Sequence, residues 1–459
     1  MKRLSTSNTP KGLREEGSHS DLLIRGGTLV CIDAEDQVLR TSIRVRGDRI
    51  IAIGRSAERG RARVIDASGC LVMPGFVQAH VHLCQALFRG MADDLPLLDW
   101  LRERIWPLEA AHDASSMRAS AELGIAEMLL GGTTSILDMG SVHHQEQIFR
   151  TMKRSGIRGF SGKAMMDRGR GVPRGLKEST RQSVETSRSL CRDWHGAAAG
   201  RIGYAYAPRF ILSCSESLMR QTANAAREDG VLIHTHAAEH RAERQAVKEQ
   251  LGLDDIAALE KFGIYGPQAV LAHGVQLRAA EIRRMSRLGT RIAHCPSANL
   301  KLASGIAPLA EMLEAGLVVG IGSDGAPCNN RMDPWTEMRQ AALLSKAKRG
   351  DAASLPARQA LRLATMGGAT ALGLQDSVGS LEVGKKADIV IVSAQGLHQQ
   401  PALDPHSTLV YASTAQDVQH VLVDGAWLVR HRELTTLDGE RIAARARSQG
   451  KKAMKRAGL

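Results

Sequence analysis

The chain has 459 residues, 43% of them hydrophobic and 24% charged, a composition that excludes fibrous and disordered classes and has room for a large α/β domain plus a smaller module. Its formal charge of +13 is concentrated at the ends: residues 440–459 carry seven basic groups against one acidic, and residues 1–20 carry four against two. With a mildly basic body and only 3% aromatic residues, no nucleic-acid partner is expected.

Residues 1–19 are polar, without an apolar run, and read as a flexible tail; neither a secretory signal nor a membrane segment is expected there. Short β-rich runs follow, Leu22–Ile24, Thr28–Val30, Ile43–Val45 and Ile50–Ile53, separated by Gly and Asp turn signals. Similar runs recur at Ala387–Val392, Val418–Val423 and Trp427–Val429. Neither group is large enough to bury a core alone, so residues 20–75 and 376–435 are expected to pair into one small β-sandwich built from both chain ends.

Between them, residues 76–375 alternate short apolar runs with helix-length amphipathic spacers. Eight runs are candidate strands: the one ending at His80 and His82, then Thr134–Leu137, Ile157–Phe160, Ile202–Ala205, Leu232–His236, Ala269–His273, Arg291–His294 and Val318–Asp324. A (β/α)8 barrel accounts for that count and period. Residues 436–459 read as a basic, solvated C-terminal helix. Seven dispersed cysteines with no C-x-x-C pair point to reduced thiols and a cytoplasmic protein.

Barrel active sites lie at the C-terminal strand ends, where His82, His236, His273, His294 and Asp324 would converge. His80 and His82 stand at i and i+2, on one face of a strand, and can take adjacent corners of a metal site. His236 and Asp324 complete a set of three imidazoles and one carboxylate that suits a single zinc-like divalent ion with room for a water. Lys163, the one strand lysine that a second ion would use as a bridge, reads instead as a buried or substrate-side lysine. Glu239, three residues past His236, is the candidate to protonate the leaving amine; the alternative is an acid at a helix N-terminus. His273 is placed to orient the attacking water, with His294 as its neighbour.

These residues resemble the amidohydrolase superfamily in its nucleobase and nucleoside deaminase branch. The resemblance rests on Met73–His82, the His236-to-Glu239 spacing, His273, His294–Leu300 and Gly322–Asp324. It implies a barrel with a flanking sandwich and one zinc or iron ion. Asp324 would both ligate the ion and take a proton from water, and Glu239 would pass a proton to a ring nitrogen. It also implies a small-molecule substrate, no membrane partner and a homo-oligomer.

Leu87–Pro96 with Asp99-Trp100 and Trp106–Glu109 is similar to deaminases of S-adenosylhomocysteine, methylthioadenosine and 5′-deoxyadenosine. There Trp100 would contact the 5′ substituent, unless it only packs in the core, and Glu109 would accept the ribose hydroxyls. A departure follows at Ala207-Pro208-Arg209-Phe210, which, like Gln85, is more similar to guanine deaminases. Arg209 could bond a purine carbonyl while Phe210 stacks on the ring. A 5′-modified adenosine is therefore the expected substrate, with guanine or another oxopurine, a triazine or a pterin as alternatives.

Overall fold

The computed structural model describes residues 21–459. The tail expected over residues 1–19 lies outside them. Eight parallel strands follow one another around a barrel: β1 (Phe76–Val81), β2 (Thr133–Met139), β3 (Arg158–Gly162), β4 (Ile202–Pro208), β5 (Leu232–Ala237), β6 (Ala269–His273), β7 (Arg291–His294) and β8 (Val319–Ile321). Nearly every residue of these strands is buried, as expected where helices cover one face and packed side chains fill the other.

The seam is closed by a parallel bridge between Val81 and Asp324, where the Asp324 amide donates to the His80 carbonyl at 3.1 Å. Gly322 makes this approach possible. A Cβ there would lie 2.5 Å from the His80 carbonyl oxygen and 2.7 Å from its nitrogen. Closure therefore brings Asp324 beside the two histidines that end β1.

The chain ends form two further sheets. A 4-stranded sheet takes Leu22–Arg25, Ile43–Arg46, Arg49–Ile53 and Arg63–Asp66. A 7-stranded sheet joins Cys70–Pro74 antiparallel to Ile389–Ser393, with Val72 opposite Ile391, so the N-terminal and C-terminal segments share one ladder. Ile24, Ile43, Val72, Ile389 and Leu422 fill the space between the sheets. The apolar stretch from Leu71 to Val77 is therefore two strands: Cys70–Pro74 belongs to the sandwich and Phe76–Val81 to the barrel. Between them Gly75 abuts Thr134, where a Cβ would sit 2.1 Å from the threonine hydroxyl oxygen.

The C-terminal helix, Gly439–Ala457, is docked, contrary to the expectation of a solvated one. It lies along the barrel helix Ala114–Leu130, burying Ala453. Arg445 pairs with the buried Glu122, and Arg456 lies 3.1 Å from Asp113. Glu122 also meets Arg118 and Arg154, so Arg445 joins a cluster of arginines around one buried carboxylate. Among the described residues no helix is long and apolar enough to cross a membrane.

A buried ion pair ties barrel to sandwich. Arg158 on β3 donates to both oxygens of Asp388, at 2.9 and 3.0 Å, and also to Asp424. Asp388 in turn accepts the Asp424 amide at 2.9 Å. Removing one partner of such a pair strands the other charge, so Asp388→Ala should lower unfolding free energy by about 3–5 kcal/mol. A reduced urea midpoint would show it; an unchanged midpoint would mean that the pair does not hold the two units together.

Candidate active site

The barrel mouth gathers side chains from β1, β4, β5, β6 and the turn after β8. The ligand atoms of His80, His82 and His236 all lie within 4.8 Å of one another, as do those of His80, His273 and Asp324. Three of the residues at this rim leave their strands through a left-handed conformation: Ala238 (φ 52°), His273 (φ 77°) and Asp324 (φ 60°). Such backbone costs of order 1–3 kcal/mol per residue, and it marks where each strand breaks off at the mouth.

Hydrogen bonds at the outer ring nitrogens fix what the inner ones can do. His82 Nδ1 donates to the Met139 carbonyl at 2.8 Å, and His236 Nδ1 to the Arg209 carbonyl at 2.8 Å. His80 Nδ1 lies 2.7 Å from His234 Nε2, and His234 Nδ1 lies 2.8 Å from the Val270 carbonyl. A carbonyl only accepts, so each Nδ1 bonded to one carries the ring proton and the Nε2 atom is left with a lone pair.

Those lone pairs face one another. His82 Nε2 and His236 Nε2 are 3.2 Å apart, and Asp324 Oδ1 is 3.3 Å from His80 Nε2 and 3.4 Å from His82 Nε2. The buried His80 Nε2 has no hydrogen-bond partner. Acceptors packed at such distances without a donor repel, and a cation among them removes the repulsion. Burial also keeps the rings neutral, pushing His82 down to about 3 and lowering His80 and His236, as ligation requires. The residues present therefore fit a divalent metal ion.

Glu239 and His273 border the same point. His273 Nε2 is 3.5 Å from Glu239 Oε2 and 3.9 Å from Asp324 Oδ2, and its Nδ1 is 2.9 Å from Asn299 Oδ1. Burial raises the Glu239 carboxyl well above the usual range, and the acidic neighbours Glu243 and Asp324 add to the effect. Both effects favour the protonated form of Glu239 over the carboxylate. It precedes the helix Arg241–Leu251, whose N-cap is His240, and it faces the cavity.

The cavity has about 370 Å³ of empty space and is lined by His82, His236, Glu239, His273 and Asp324 at its inner end. Its remaining wall is Gln85, Arg209, Phe210, Trp100 and three leucines, Leu97, Leu101 and Leu302. Glu109 and His294 lie outside that lining. Glu109 is buried behind Arg209, which bonds both of its oxygens, one at 3.1 Å, while Gln85 Nε2 donates to it at 2.8 Å. His294 is buried at the end of β7, and its carbonyl accepts the Gly322 amide at 2.9 Å. Lys163 is buried too, paired with Glu178.

Two contributors carry no assigned role in the sequence reading. Asn299 orients His273, and its signal was its place in the segment His294–Leu300. His234 supports His80; the signal was present as a second i, i+2 histidine pair on β5, which puts His234 and His236 on one strand face.

Residues 71–428 match the model of the amidohydrolase family. A 5-methylthioadenosine/S-adenosylhomocysteine deaminase of Pelotomaculum thermopropionicum is 37% identical over 435 residues, which is 94% of this chain and 98% of that protein. A 5′-deoxyadenosine deaminase of Methanosarcina acetivorans is 35% identical, with 95% of this chain and 99% of the other covered. Among solved structures, an adenosine deaminase from Xanthomonas campestris with bound zinc superposes with a TM-score of 0.89. It is 33% identical, over 95% of this chain and 99% of that one. The strand-end ligands, the closed barrel and these matches agree, and the chain belongs to the amidohydrolase family.

Proposed function

We propose that the protein is a zinc-dependent aminohydrolase that replaces the 6-amino group of a 5′-modified adenosine with oxygen, releasing ammonia. The observation that carries this reading is the convergence of lone pairs from His80, His82 and His236 with Asp324, beside a buried Glu239 that faces the same cavity. The relatives named for methylthioadenosine, S-adenosylhomocysteine and 5′-deoxyadenosine support the choice of substrate.

When bound, a divalent ion acidifies water from a pKa of about 15.7 towards 7 and so supplies the nucleophile at neutral pH. Asp324 accepts a proton from the attacking water. His273, tied through Nδ1 to Asn299, holds that water in line with the purine C6. Glu239 delivers its proton to the ring nitrogen N1, which lets C6 become tetrahedral without an unstabilised negative charge. The proton taken up by Asp324 then passes to the amino group, the C6–N bond breaks and ammonia leaves, and the C6 hydroxyl proton returns to Glu239 as the carbonyl forms.

The outer wall explains how the rest of the substrate is held. Phe210 and Trp100 offer aromatic faces, and Leu97, Leu101 and Leu302 suit an apolar 5′ substituent. Arg209 and Glu109 act as a unit, in which Glu109 holds the guanidinium against the cavity. That rigid donor supports a second reading, an oxopurine such as guanine, whose exocyclic oxygen would accept from Arg209.

Ammonia release from 5′-deoxyadenosine, methylthioadenosine, S-adenosylhomocysteine and guanine separates the two. The nucleosides should exceed guanine in kcat/KM by at least about tenfold, or about 1.4 kcal/mol of transition-state binding. The reverse order would assign the site to an oxopurine. Glu239→Gln keeps the side chain's shape but removes the acid, and should lower kcat by about 10²–10⁴ with metal content unchanged. A Glu239→Gln enzyme with undiminished kcat would remove Glu239 from the chemistry.

A further inference from the structure

We infer that His234 is a positioning residue that selects the ring tautomer of His80, and so makes His80 Nε2 the atom that meets the metal. This inference rests on the metal-dependent reading above. His82 and His236 each reach a backbone carbonyl directly with Nδ1, those of Met139 and Arg209. His80 does not. It is fully buried, and its Nδ1 meets another imidazole, His234 Nε2, at 2.7 Å.

An imidazole can face another in two ways, because each neutral ring has one donor and one acceptor nitrogen. The ambiguity is resolved one step further out. His234 Nδ1 is 2.8 Å from the Val270 carbonyl, its register partner on β6. That oxygen can only accept, so the His234 proton sits on Nδ1 and Nε2 becomes the acceptor. His80 must then donate from Nδ1, and its Nε2 is left bare, 3.3 Å from Asp324 Oδ1. The opposite order would place a proton on His80 Nε2, in the middle of the ligand set, and block ligation.

His234 therefore extends the reach of a β6 carbonyl to a ligand too deep to touch one itself. Supports of this kind alter metal affinity by about 10–100-fold when removed. The side chain touches neither substrate nor the reacting atoms, so its effect falls on metal retention and on kcat only through it.

In protein labelled with ¹⁵N-histidine, a scalar coupling across the Nδ1–H···Nε2 bond should link one ring nitrogen of His80 to one of His234, with the proton on His80. A ring pair without that coupling, or with the proton on His234 Nε2, overturns the inference. This measurement needs no variant and is made on both metal-free and zinc-loaded protein. Its failure is therefore distinct from that of the functional reading, which fails if the wild-type protein takes up no metal. His234→Leu should weaken zinc binding by about 10–100-fold in a chelator competition. His234→Gln, whose amide oxygen can accept from His80 Nδ1, should stay within about threefold of wild type. A His234→Leu protein that holds zinc as tightly as wild type overturns the proposal. Should that variant not fold, the coupling and the glutamine variant decide.

Discussion

Three imidazole lone pairs and a carboxylate point at one another in the buried mouth of the barrel, and most of the surrounding structure exists to keep them there. Acceptors 3.2–3.4 Å apart would separate if free to do so. They are prevented by hydrogen bonds that tie the far side of each ring to the barrel: Met139, Arg209 and, through His234, Val270. The binding energy of a cation at that point is thus matched by preorganisation made during folding.

Barrel closure and site assembly are the same event. Asp324 joins the ligand set because the turn after β8 bridges to Val81, and it can bridge because Gly322 lets backbone meet backbone. The left-handed backbone at Ala238, His273 and Asp324 is tolerated for the same reason. In each case a strand ends abruptly and delivers a polar side chain into the mouth rather than along the strand. The surroundings then push the two acids apart: burial and further acidic groups raise the Glu239 carboxyl, while the imidazoles around Asp324 hold its carboxyl well below the usual range.

Much of this was legible in the residues. Eight apolar runs, five of them ending in a histidine or aspartate, gave the barrel, and the i, i+2 pair His80 and His82 gave the start of the site. What stayed hidden depends on depth and on long-range pairing. Gly75 closed the first β segment in the residues, but its close approach to Thr134 on the next barrel strand could not be read there. Glu109 and Arg209, 100 residues apart, each invited a contact with substrate, and nothing local shows that they bind each other. Basic residues near the C-terminus suggested solvent because Glu122 and Asp113, which meet Arg445 and Arg456, look like any helix acids. On β5, the spacing to Glu239 singled out His236, whereas the contact of His234 with His80 depends on depth and pairing that the sequence does not show.

X-ray absorption at the metal edge of the purified protein tests the central claim most directly. The account predicts a first shell of nitrogen and oxygen at about 2.0–2.2 Å, with the multiple-scattering pattern of three imidazoles and no second metal. A sulfur shell at about 2.3 Å, from buried thiols such as Cys84, Cys295 or Cys328, or a metal–metal distance of about 3.5–4 Å, would contradict it.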